Sequence, residues 1–182
     1  MKKLILTLGA VFATIGFLSA QNFLEVEKVV AQDRFSYGQF GASVAIDGEF
    51  AVVGAIGDDL NPWGGTTLNK GAAYVYRKNA AGTWDFHTKL HASGGQTQDL
   101  FGWDVSISGN LIAVSANRHD LSEFGGSYQD NAGAVYIFEY NSGTNAWNQI
   151  KKLVAPDRQA LDEFGYQIDI RGNQVIVGAN HE

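Results

Sequence analysis

A pattern of about 62 residues recurs along this 182-residue chain, apolar side chains alternate or run in short stretches, and no 11-residue window beyond the N-terminus carries a helical period. Together these observations predict an all-β chain: a partial β-propeller of four-stranded antiparallel blades, about two and a half repeats long, preceded by a signal peptide. The period has a physical reason. One four-stranded sheet cannot bury both of its apolar faces, whereas stacking on neighbouring blades covers them. A plain β-sandwich would not require its sequence to recur.

The elements follow in order. Lys2 and Lys3, an apolar stretch over residues 4–18 and small residues up to Ala20 have the layout of a secretory signal peptide over residues 1–20. The stretch is shorter than the roughly 20 residues a membrane span needs. Residues 21–182 form the propeller region. Phe40-Gly41, Phe101-Gly102 and Phe164-Gly165 lie 61 and 63 residues apart. After each, Val44, Ile46, Gly48, Val53 and Ala55 correspond to Val105, Ile107, Gly109, Val114 and Ala116, and then to Ile168, Ile170, Gly172, Val177 and Ala179.

Within a unit, residues 43–46 alternate as a first strand with unlike faces. Asp47-Gly48, Gly109-Asn110 and Gly172-Asn173 supply the positive-φ residue of a tight hairpin. The apolar runs 50–53, 111–114 and 175–177 suit a second strand covered on both faces. Residues 72–77 and 134–139, rich in Tyr, Val, Ile and Phe, read as the third strand. Residues 84–90 and 147–154 read as the fourth. The segment 23–34 aligns without a gap on 147–158, so the chain is expected to open with the last strand of a unit, residues 23–30, completing the final blade of a closed array.

Composition narrows the function classes. A formal net charge of −6 and a pI near 5.1 argue against a nucleic-acid surface. The absence of cysteine removes disulfides, zinc–thiolate sites, cysteine nucleophiles and a lipid-modified N-terminal cysteine. No Gly-x-Ser-x-Gly elbow, His-Glu-x-x-His pair or phosphate-cradling loop is present, so the chain is not expected to be an enzyme.

The Phe-Gly pairs, the hydrophobic strand and Gly54-Ala55, again Gly178-Ala179, resemble the FG-GAP repeats that also build the head propeller of integrin α-subunits, in the short-turn bacterial exported variety. The proline expected after Gly-Ala is Ile56, Asn117 and Asn180 here, and Ser115 replaces one glycine. The resemblance implies rings of seven blades, more than this chain holds. It is therefore expected to be a fragment of a longer protein, or an array that completes itself by association. Calcium-binding members carry an acidic loop between the first two strands. Asp47 with Glu49, or Asn110 alone, falls short of the 6 to 8 oxygen ligands calcium takes, so neither metal nor other cofactor is expected.

Function is expected in the loops, because the strands are committed to packing. The longest join the second and third strands, where Trp63-Gly64-Gly65 answers Phe124-Gly125-Gly126. These six residues are the candidate ligand contacts, the aromatics suiting a sugar or a protein partner. Their recurrence in each unit suits structural plugs between blades better than ligand contacts. His87 and His91 on one strand have metal spacing, but their counterparts Ile150 and Val154 do not. Asp99 and Asp162, two residues before Phe-Gly, read as turn formers. The resemblance implies an exported, non-catalytic binding or adhesion scaffold in the periplasm, at the cell surface or outside the cell, with an unidentified protein or carbohydrate ligand, no nucleic acid and no membrane span in the mature chain. An accessory propeller of a longer secreted enzyme and a structural spacer are the alternatives.

Overall fold

The computed structural model describes residues 27–33, 37–58, 69–120 and 129–181. The expected signal peptide lies outside them. Ten strands follow in chain order: β1 (Phe40–Asp47), β2 (Phe50–Ala55), β3 (Ala72–Lys78), β4 (Trp84–Leu90), β5 (Val105–Ser108), β6 (Leu111–Ala116), β7 (Ala134–Asn141), β8 (Ala146–Leu153), β9 (Gln167–Arg171) and β10 (Gln174–Gly178). They form two antiparallel sheets, β1-β2-β3-β4 and β5-β6-β7-β8, and the pair β9-β10, here blades 1, 2 and 3. The all-β, blade-like architecture expected from the repeat is present.

Most strands run a few residues past the sequence-derived bounds. β1 starts at Phe40 because Phe40 still pairs with Ala55, across an irregularity that ends at Val44. Gly48, Gly109 and Gly172 all hold φ between 56° and 58° in two-residue hairpins, the left-handed backbone that glycine adopts without a Cβ penalty.

The expected strand at the chain start is not found among the described residues. Residues 27–30 pair with no strand, and 23–26 lie outside the description. Instead, Val29 and Ala31 pack on the Tyr74 and Tyr76 face of blade 1. The Tyr76 hydroxyl donates to the Val30 carbonyl at 2.9 Å, and the Trp84 N–H to the Glu27 carboxylate at 2.8 Å. With no third strand beside it, this segment has no ladder to join, so it is held by side-chain contacts.

The core lies between sheets. Phe50, Val52 and Val75 of blade 1 meet Val105, Ile112 and Tyr136 of blade 2. Ala113, Val135 and Ile137 of blade 2 meet Ile168 and Ile170 of blade 3. Tyr74, Tyr76, Tyr136 and Phe138, on the third strands of blades 1 and 2, are all buried. Phe50 packs edge-on against Trp147 with ring centroids 5.2 Å apart, tying the hairpin end of blade 1 to blade 2.

The repeated glycines sit where backbones of adjacent blades touch. A Cβ on Gly54 would lie 2.0 Å from the Gly102 carbonyl oxygen, and one on Gly71 2.0 Å from that of Phe101. Gly71 bridges Phe101, and Gly133 bridges Phe164, in matching parallel pairs. Ser115 stands in the place of Gly54, and its hydroxyl accepts the Asp104 N–H at 2.9 Å.

Small polar side chains join the inner strands β1, β5 and β9. Asp104, Ser106 and Ser108 accept the N–H groups of Ile168, Ile170 and Gly172 at 2.7, 3.1 and 2.9 Å. Asp47 accepts that of Gly109 at 2.6 Å. Alternate side chains of one strand thereby stand in for the carbonyls of a ladder.

Core packing between blades predicts an asymmetric response to truncation. Ile112→Ala, at the blade 1–blade 2 contact, is expected to lower unfolding free energy by about 2–5 kcal/mol. Ile150→Ala, on the exposed side of β8, should change it by no more than about 0.5 kcal/mol. Urea titration of both variants is the measurement.

Candidate functional site

Antiparallel pairing sorts the connections into two ends. One end carries the tight β1-β2, β5-β6 and β9-β10 hairpins with the β3-β4 and β7-β8 turns. The other gathers the long β2-β3 and β6-β7 connections and the linkers between blades. Only this second end has backbone to spare, and it is the candidate site.

The stems of its long loops are closed by backbone hydrogen bonds. Gly71 N–H reaches the Asp58 carbonyl at 2.9 Å, Gly133 N–H the His119 carbonyl at 2.8 Å, and Gln129 N–H the Asp120 carbonyl at 2.8 Å. Trp63, Gly64, Gly65, Phe124, Gly125 and Gly126 all lie outside the described residues. What is described is the platform from which they spring.

Under the blade 1 loop, the Tyr74 hydroxyl contacts both Asp33, at 2.6 Å, and Asp58. Lys89 Nζ sits 2.7 Å from Asp33 Oδ2 and 2.8 Å from Asp58 Oδ1. Burial and then hydrogen bonding to the two carboxylates drive the Tyr74 pKa well above the ordinary phenol value. Burial followed by the Asp33 charge pushes Tyr76 up to about 12. Burial favours the neutral form of Asp33, but hydrogen bonds from Lys89 and Tyr74 outweigh it and hold the carboxyl below its usual range. A cavity of about 140 Å³ opens beside this cluster, lined by Asp33, Gln39, Phe40, Asp58 and Tyr74 among others.

Blade 2 repeats the position with different chemistry. His119 stands where blade 1 has Asp58, and Gly94 where it has Asp33. His119 Nδ1 is 2.8 Å from Asp99 Oδ2, and Lys152 Nζ is 2.8 Å from His119 Nε2. A lysine ammonium only donates, so the imidazole proton sits on Nδ1 and is given to Asp99. Both nitrogens are engaged and the ring is buried, leaving none to take a substrate proton. The cluster braces the loop stem. Asp99 also accepts the Gln96 N–H at 2.6 Å, and Asp162 the Gln159 N–H at 2.5 Å, the turn-forming role read from the sequence.

The histidine pair does not form. A register shift between Val75 and Tyr76 leaves His87 without a ladder partner on β4, and its ring meets Phe50 and Tyr140. His91 lies beyond β4, its Nδ1 3.4 Å from the Gly71 carbonyl oxygen. Burial and then Lys89 hold the His91 pKa below its ordinary value, and burial and then Arg77 do the same for His87. Among the described residues no group of three or more His, Asp or Glu is placed to hold a metal ion.

The larger opening lies at the start of the inner strands. A cavity of about 460 Å³ is lined by Ser43, Ile56, Trp103, Asp104, Tyr166 and Gln167 among others, within the range of small-ligand pockets. The Trp103 and Tyr166 rings stand 5.5 Å apart, tilted at 46°, and Trp103 Nε1–H donates to the Tyr166 carbonyl at 3.1 Å. Two aromatic rings beside a carboxylate and an amide offer apolar faces and hydrogen-bonding groups side by side. The sequence did hold a signal for this pair. Directly after Phe-Gly, the three units carry Ala42, Trp103 and Tyr166, so the position departs from the repeat that surrounds it.

Residues 23–76, 84–138 and 147–182 match the model of the FG-GAP repeat. Such repeats build β-propeller modules that generally bind proteins and typically occur in extracellular or exported proteins. No curated protein matches the chain. Among solved structures, the crystal structure of a protein of unknown function from Bacteroides fragilis is 20% identical, covers 59% of this chain and 84% of its own, and aligns with a TM-score of 0.18. No helix among the described residues is long and apolar enough to cross a membrane.

Two predictions follow from the buried polar groups. Because His87 and His91 have lowered folded-state pKa values, the unfolded chain binds more protons below its ordinary histidine pKa. Stability should therefore fall as pH drops from about 7 through 6.5, and His91→Gln should flatten that fall in Tm measured against pH. Asp99→Ala removes an acceptor from His119 and from the Gln96 amide. It should cost about 2–3 kcal/mol by denaturant titration.

Proposed function

Because the chain belongs to the FG-GAP repeat family, we propose that it is an exported, non-catalytic binding and adhesion scaffold, which holds a protein ligand at the loop-bearing end of its blades. The observation that carries this reading is the concentration of free backbone and open aromatic surface at one end. There, the stem residues Asp58 and His119 stand at the same end as the Trp103–Tyr166 cavity. Trp63, Gly64, Gly65, Phe124, Gly125 and Gly126 of the two long connections are the proposed ligand contacts. The scaffold works in the periplasm, at the cell surface or outside the cell, without nucleic acid or a membrane span in its mature chain.

Binding needs no cofactor. A two-residue hairpin joins β1 to β2, and the same holds for β5-β6 and β9-β10, so the turn that would have to collect calcium has too few oxygen donors. Adding calcium and then chelator should leave Tm unchanged; a calcium-dependent rise would contradict this part of the proposal.

The ligand contact is tested on the folded protein. Pull-down from the surface proteins of the producing cell should lose its captured protein when Trp63 and Phe124 are both changed to Ala, with Tm and the sheet circular dichroism intact. If that double variant melts instead, the aromatics are plugs between blades, and Trp103→Ala with Tyr166→Ala then reports whether the cavity holds the ligand. Unchanged capture by both double variants overturns the proposed site.

A further inference from the structure

We propose that the cavity at the starts of the inner strands is a carbohydrate site, in which Trp103 and Tyr166 stack on the ring face of a neutral sugar. The inference rests on the reading of this end as a binding surface and gives that surface a ligand class. The cavity draws on all three blades: Ala42 and Ser43 come from blade 1, Trp103 and Asp104 from blade 2, and Tyr166 and Gln167 from blade 3. First strands of propeller blades surround the central channel, so further blades extend the walls of such an opening and do not take its place.

The position after Phe-Gly supplies the aromatic part. Trp103 and Tyr166 are equivalent by repeat, and their rings stand 5.5 Å apart at a tilt of 46°. Ala42, in the same place in blade 1, leaves free the space that the two rings border. The Trp103 Nε1–H is already given to the Tyr166 carbonyl at 3.1 Å, so the indole meets a ligand with its carbon surface. A flat apolar surface matches the C–H face of a sugar ring, whose hydroxyls point outward from the contact.

The polar groups around the rings suit those hydroxyls. Ser43 donates its proton to the Gly102 carbonyl at 3.1 Å and keeps its oxygen as an acceptor. The exposed Gln167 amide can both give and accept. Asp104 takes the Val105 N–H on Oδ1 at 3.0 Å and the Ile168 N–H on Oδ2 at 2.7 Å, and each oxygen retains a second acceptor site. Charge sets other ligands aside. No lysine, arginine or histidine is among the described residues that line the cavity, so an anion would meet Asp104 without a counter-charge. The two backbone amides fix Asp104 and offset its charge, so it orients a hydroxyl better than it neutralises a cation.

The test uses the full chain on immobilised dextran, mannan, galactan and chitin oligomers, with elution by the matching free oligosaccharide. Retention on at least one matrix is expected, and Trp103→Ala and Tyr166→Ala should each lower the affinity about tenfold. Trp103→Phe keeps a ring face and should retain most of it. Tyr166 is 37% exposed, so Tyr166→Ala carries the test should Trp103→Ala lose its sheet circular dichroism. Capture of a surface protein that is lost once its glycans are removed places the sugar on that protein; capture that survives, with matrix retention intact, assigns it to a free polysaccharide. No retention on any matrix, retention unchanged in Tyr166→Ala, or elution by choline or a proline-rich peptide would each overturn the proposal. Surface-protein capture without sugar retention removes the ligand class and leaves the binding role; absence of both removes both.

Discussion

Close backbone approach between neighbouring blades is the constraint on which the rest of this structure depends. Where Gly54 faces Gly102, and Gly71 faces Phe101, an added Cβ would fall about 2.0 Å from a carbonyl oxygen. No side chain fits at these two places between blades 1 and 2, whereas between blades 2 and 3 the position of Gly54 is held by Ser115, which faces Gly165. That closeness brings Val52 and Val75 against Val105 and Ile112, with almost no residual exposure, and makes the interior an inter-sheet one. The Phe-Gly and Gly-Ala signature is thus a packing device.

The inner strands show how such sheets stay in register without sharing a ladder. Asp104, Ser106 and Ser108 are short, alternate along β5 and each offer an oxygen to the next strand. Longer side chains would hold the strands apart, and apolar ones would leave buried amides unpaired at a cost of about 1–3 kcal/mol each. In blade 1 the middle position is Ala45, and the polar contacts flank it: the Ser43 hydroxyl donates to the Gly102 carbonyl at 3.1 Å, and Asp47 at the hairpin accepts the Gly109 N–H. Ser115 belongs to the same logic, since its hydroxyl binds the Asp104 amide.

Function is free to vary where this packing makes no demand. The position after Phe-Gly changes from Ala42 to Trp103 to Tyr166, and the loop-stem position from Asp58 to His119. At the stem, one set of neighbours accommodates both choices: a lysine from the fourth strand, Lys89 or Lys152, and a tyrosine from the third, Tyr74 or Tyr136. The repeat conserves a frame within the chain, and departures from it mark the end that can become specific.

Blade architecture, hairpin glycines, turn-forming aspartates and buried tyrosines were all legible from self-comparison, because each reflects a local requirement met again in every unit. A two-residue turn needs positive φ at Gly48, Gly109 and Gly172 whatever surrounds it, and a covered strand must be apolar throughout. The place of residues 27–33 and the meeting of Trp103 with Tyr166 were not legible. Residues 27–30 align without a gap on residues 151–154 at the end of β8, with Lys28 and Val30 identical to Lys152 and Val154, yet a strand also needs a partner edge, which pattern alone does not supply. A one-residue shift opposite Tyr76 leaves His87 unpaired on β4, where its ring packs partly against Phe50 and Tyr140, the partly packed strand histidine that its unmatched repeat position suggested. Sequence by itself determined the repeating unit and which of its faces must be covered, since burial selects residue types. Only tertiary structure decided which of those faces are covered and which side chains converge, since that depends on distances between segments some 60 residues apart.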